Sequence, residues 1–76
     1  MIEEIKTKVS SFLSDAVNGV DSSDEFIRFM NTLDKHAYDF AGRVYTIYEK
    51  YYAGMISWSQ AVKEIDEEVK RYGMET

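Results

Sequence analysis

Residues 26–52 read FIRFMNTLDKHAYDFAGRVYTIYEKYY, and within them Phe26, Met30, Leu33, Ala37, Phe40, Val44, Ile47 and Tyr51 recur at alternating spacings of four and three. Such spacing keeps one face of a helix apolar and marks a seam that packs against other helices. Between Ser23 and Ala53 there is no proline, and Gly42 is the only glycine. The seam therefore predicts one long helix over residues 23–53, roughly 45 Å at 1.5 Å per residue. Asn31-Thr32-Leu33-Asp34 contains residues able to cap a new helix, but a turn would ordinarily shift the apolar phase, and the phase runs straight through. A second stripe, Tyr38, Ala41, Tyr45, Tyr48 and Tyr52, lies beside the first, so the helix is apolar or aromatic over more than one partner helix would cover.

The flanking segments supply two shorter helices. Ile2, Ile5, Val9, Phe12, Leu13, Ala16 and Val17 share one face, predicting an amphipathic helix over about 2–18 that Gly19 ends. Ser22-Ser23-Asp24-Glu25 has capping-box spacing. Gly54 ends the central helix, and Ile56, Ser57 and Gln60 stand at staple, cap and box positions for a third helix over 58–72. That helix would turn Trp58, Ala61, Val62, Ile65, Val69 and Tyr72 inward and stop at Gly73. The fold class is all-α, one domain over residues 1–76: a three-helix antiparallel arrangement with a long central helix. If the outer helices lie end to end along the central one, its tyrosine stripe is left bare. The stripe of Tyr38, Tyr45, Tyr48 and Tyr52 is then an oligomer interface of a homodimeric bundle, since aromatic side chains suit the buried centre of interfaces while their hydroxyls tolerate a wet rim. A compact bundle, with these tyrosines filling a monomeric core, is the alternative.

Seventy-six residues make a small domain, which buries only about 60% of its unfolded surface. Small domains often add disulfides, metals or oligomerisation; without cysteine, disulfides and cysteine-based zinc sites are closed. Fourteen acids against nine bases leave a net charge of −5. The bases are scattered among acids, which disfavours direct nucleic-acid binding and suits a protein partner with a basic surface. Met1-Ile2-Glu3-Glu4 lacks the basic start of a signal peptide, and no run is apolar enough to span a bilayer; the expectation is a cytoplasmic protein that does not enter a membrane.

Chemistry-bearing constellations are sparse. His36, the only histidine, lies near Asp34 and Asp39, but neither a nucleophile nor a third metal ligand accompanies it. The serines lack the glycine-flanked turn that exposes a nucleophile, and Asp21, Asp24 and Glu25 do not have calcium-loop spacing. Gly54–Ala61 resembles the turn of a helix-turn-helix unit, yet the helix after it is acidic where a recognition helix is basic. No catalytic residue, metal ligand or cofactor is expected. On the last helix Lys63, Asp66, Glu67, Lys70 and Arg71 can pair with one another four apart, leaving Glu64, Glu68 and Glu75 as the acids least neutralised and the candidate partner-binding face. The reading is a small acidic, non-catalytic inhibitor or adaptor docking on a larger protein, by analogy with those that phages and mobile elements encode against host enzymes or defence complexes. A self-assembling structural or regulatory subunit, and a small-ligand binder with a tyrosine-lined pocket at the dimer seam, are the alternatives.

Overall fold

Two glycines with positive φ, Gly19 at 79° and Gly54 at 77°, stop helices where the sequence places them. Each lets the next amide reach back five residues, Val20 N–H to the Asp15 carbonyl at 2.8 Å and Met55 N–H to the Lys50 carbonyl at 2.9 Å, so the last carbonyls of the helix are satisfied. In the computed structural model, which describes residues 1–74 and the backbone of Glu75, the described chain is all-helical: α1 (Ile2–Val17), α2 (Ser23–Met30), α3 (Lys35–Tyr52) and α4 (Trp58–Glu75).

The single helix expected over 23–53 is thus two helices, α2 and α3. The break is made by Asp34, whose backbone is extended (φ −71°, ψ 170°) and whose Oδ1 accepts the Ala37 amide at 2.9 Å. A carboxylate cap satisfies an orphan donor and meets the positive end of the α3 dipole. The apolar phase survives the break because Phe26, Phe29 and Met30 of a folded-back α2, and Leu33 of the turn after it, still pack against the core. The Ser22 and Glu25 capping box does not form. Ser22 sits at φ −113°, ψ 22° and makes no side-chain cap; instead Asp21 Oδ1 accepts both the Ser23 amide at 3.0 Å and the Ser23 hydroxyl at 2.6 Å. Nor does Gly73 stop the last helix, which runs through it to Glu75.

Ser57 does cap α4, its Oγ accepting the Gln60 amide at 3.1 Å. Ser57→Ala should cost about 1 kcal/mol in thermal or denaturant unfolding, and Ser59→Ala, two residues on and exposed, close to nothing.

Both α1 and α4 pack on α3, while α2 packs on α1. Contacts run in opposite order along α3 and α4, from His36 with Tyr72 to Tyr51 with Trp58, so these two helices form an antiparallel hairpin. Ile5, Val9 and Leu13 of α1, Ala37, Phe40, Ala41, Val44, Ile47 and Tyr48 of α3, and Ala61 and Ile65 of α4 make the core. The envelope is flattened, 36 × 29 × 15 Å, and much of α4 stays outside the core. Of its expected inward face, Ala61 and Ile65 are buried and Val69 and Tyr72 half-buried, whereas Trp58 is 52% and Val62 39% exposed. No helix among the described residues is long and apolar enough to cross a membrane.

Candidate functional site: an aromatic end of the bundle

The four stripe tyrosines occupy four different environments. Tyr48 is buried, 5% exposed, in the chain's own core. Tyr45 packs against Phe12 and Phe26, ring centroids 6.2 and 6.1 Å away. Tyr52 is half-buried with its hydroxyl 3.5 Å from Ser10 Oγ. Only Tyr38 is exposed, at 50%. Three of the four are therefore covered within the chain: Tyr45 by α1 and the folded-back α2, Tyr52 by α1, and Tyr48 by the core and Trp58 of α4.

Between α1 and the end of α3 the surface opens into a groove of about 460 Å³, lined by Glu3, Lys6, Ser10, Ser14, Tyr48 and Tyr52 among others. Burial first, then the neighbouring Tyr52 and Glu3, raise the pKa of the Tyr48 hydroxyl above the usual tyrosine value. A raised pKa means that the folded chain ionises later than the unfolded one. The stabilisation linked to Tyr48 is then fully present below the ordinary tyrosine range and is lost as pH rises through the raised value. Tyr48→Phe should accordingly gain on the wild type between about pH 8 and about pH 11 in paired thermal melts.

At the far end of the groove the aromatic rings continue around the bundle. Tyr52 touches Tyr51 (centroids 5.2 Å), Tyr51 touches Trp58 (5.0 Å) and Trp58 lies over Tyr48 (6.3 Å). Trp58 opens α4 just past the α3–α4 turn, so its inner face rests on α3 tyrosines while half of it remains in solvent. Met55, 72% exposed in that turn, and Val62, one helical turn beyond Trp58, extend the apolar surface. Periodicity placed Trp58 and Val62 inside because it registers the face of α4 and is blind to where its neighbours end.

The acids expected to face a partner are engaged within the chain. Glu68 Oε2 accepts Arg43 Nε at 2.7 Å, with Arg71 3.9 Å from its other oxygen. Glu64 accepts from Lys50 Nζ at 3.1 Å and from the Gln60 side-chain Nε2 at 3.1 Å. Gln60 foremost, and then Lys50, hold the Glu64 carboxyl below the usual carboxylate range. These pairs tie α4 to α3 beside the apolar core and neutralise the charges that the α4 sequence leaves unmatched. Their signal in the sequence is a pair of bases seven apart on α3 opposite a pair of acids four apart on α4, legible once the hairpin register is known. The Glu75 side chain lies outside the described residues. His36 stacks on Tyr72 at 4.6 Å with Nε2 3.4 Å from the Tyr72 carbonyl, joining α3 to α4, while Asp39 pairs with Lys35 at 3.2 Å. Among the described residues, no three His, Asp or Glu side chains converge as a metal site. The chain matches no family model, no curated protein and no solved structure at a significant level.

Proposed function

We propose that this chain is a non-catalytic protein-binding domain, an inhibitor or adaptor that docks on a larger protein through the aromatic end of its bundle. The observation that carries this reading is Trp58, half exposed yet seated on Tyr51 and Tyr48 and flanked by the exposed Met55 and Val62. A large, amphipathic ring whose orientation is already fixed loses little freedom on binding, and tryptophan and tyrosine dominate the energetics of protein interfaces. The acidic face takes a lesser part, since Glu64 and Glu68 already have basic partners of their own.

The test begins with a partner recovered from the source cell and purified. Trp58→Ala should weaken its binding about 30-fold, the effect of truncating an interface anchor, while lowering Tm by only a few degrees. Glu64→Gln with Glu68→Gln should leave the affinity within a few-fold of wild type. The reverse ranking would return the contact to the acidic face, and self-association lost with Trp58 would make this surface a dimer contact instead.

A further inference from the structure

We propose that residues 31–34 are a hinge through which two copies of this chain exchange their α1–α2 pairs, forming a dimer in which Ser23–Tyr52 becomes one continuous helix. The proposal rests on how little separates the broken helix from an unbroken one. Asn31 is still helical (φ −69°, ψ −13°) and donates to the Ile27 carbonyl at 3.0 Å. Thr32 and Leu33 continue in tight turns, donating to the Phe29 and Met30 carbonyls at 3.0 and 3.1 Å. Asp34 also has a helical φ, −71°; it departs through ψ, 170° against about −42° in a helix. No residue of the hinge is proline or glycine, and none has positive φ. Turning that dihedral and relaxing the Thr32 and Leu33 turns to bonds four residues back would let the first amides of α3 bond the carbonyls of residues 31–33, as in any helix interior, at the loss of the Asp34 cap.

What holds α2 back is correspondingly slight. Eight residues are too few for a helix to persist alone, and α2 buries no residue fully. Its anchors are three half-buried side chains, Phe29 and Met30 against the core and, foremost, Phe26, stacked on Phe12 at 4.3 Å and lying against Tyr45. In a continuous helix Phe26 and Tyr45 are nineteen residues apart, about 28 Å, so one chain cannot make that contact. The stack on Phe12 carries α1 away with α2, vacating the face of α3 that α1 had covered. The surface fitting both vacancies in register is the α1–α2 pair of a second copy, which restores Phe26 against Tyr45 and Ile5, Val9 and Leu13 against α3 with no new contact to invent. The point midway between residues 26 and 45 falls at 35 and 36, beside the hinge, so the two straightened helices cross there about a two-fold axis. Exchange of this kind is a recognised route to dimers wherever a hinge can adopt both forms. It uses the core face of the helices and is independent of the Trp58 surface.

Two single substitutions separate this dimer from any other. Asp34→Ala removes the cap that favours the broken form, worth about fivefold per chain and so about 25-fold in the dimer equilibrium, where two hinges open. Lys35→Pro suits the broken form, because proline is welcome at the first position of a helix and the extended Asp34 before it has the conformation proline requires. In the continuous helix the same proline is interior, disfavoured about 100-fold per chain. Each chain is refolded at about 10 µM and about 1 mM, sized by light scattering, and checked for helicity by circular dichroism. Expected are a dimer that grows with refolding concentration, more of it from Asp34→Ala, and monomer throughout from Lys35→Pro. Asp34→Ala that folds but stays monomeric at the higher concentration would overturn the exchange. So would Lys35→Pro that dimerises like the wild type.

Discussion

Phe40→Ala is expected to lower the stability of the chain by about 3–5 kcal/mol, the largest loss from any single truncation. Phe40 is wholly buried, with the Tyr72 ring 4.7 Å away and the α1 and α4 cores on either side. Removing a buried phenyl ring costs about 3–5 kcal/mol, because the transfer energy is lost and the cavity only partly collapses. A 76-residue domain has roughly 4–11 kcal/mol in all, and the flattened bundle has little other core to draw on. Urea unfolding followed by circular dichroism reads the loss directly, and Phe40→Leu, which keeps most of the volume, should recover a large part of it.

Tyr48→Glu should be nearly as damaging and should separate the two roles open to the tyrosine stripe. With Tyr48 5% exposed in the core of one chain, a glutamate there must be buried without a partner, at several kcal/mol. The variant should therefore be unfolded even in dilute solution, where no dimer interface is at stake. Tyr38→Glu, at a position half open to solvent, should melt within a few degrees of wild type. A Tyr48→Glu chain that remains a folded monomer would show that Tyr48 serves assembly and not the core.

The helices themselves were legible because local rules suffice for them. Gly19 and Gly54 adopt positive φ where a helix must stop, and Ser57 caps where a hydroxyl stands ahead of an apolar face. The break at Asp34 was hidden for a physical reason. Apolar spacing reports which side chains reach the core, and Phe26, Met30 and Leu33 reach it whether α2 continues α3 or folds back beside α1. The Asp34 ψ angle, the turns at Thr32 and Leu33 and one carboxylate cap separate the two, and the tertiary stack of Phe26 on Phe12 favours the folded-back form. Glu64 and Glu68 looked free because an i,i+4 survey stays within one helix, whereas their partners Lys50 and Arg43 come from the neighbouring one. Trp58 looked internal because it shares a face with Ile65, although it rests on Tyr48 and Tyr51 with one side only and leaves the other in solvent.

The docking surface is tested most directly by a photo-crosslinking tryptophan analogue, which keeps the indole ring, placed at position 58, and in a second chain at position 67 on the exposed polar side of α4, with both chains irradiated in the source cell. Contact through the aromatic end should give a discrete adduct with one other protein from position 58, with much less from 67, and Met55→Ser in the same chain should diminish it. No adduct from position 58, with a strong one from 67, would contradict the proposed surface and move partner recognition to the charged side of the last helix.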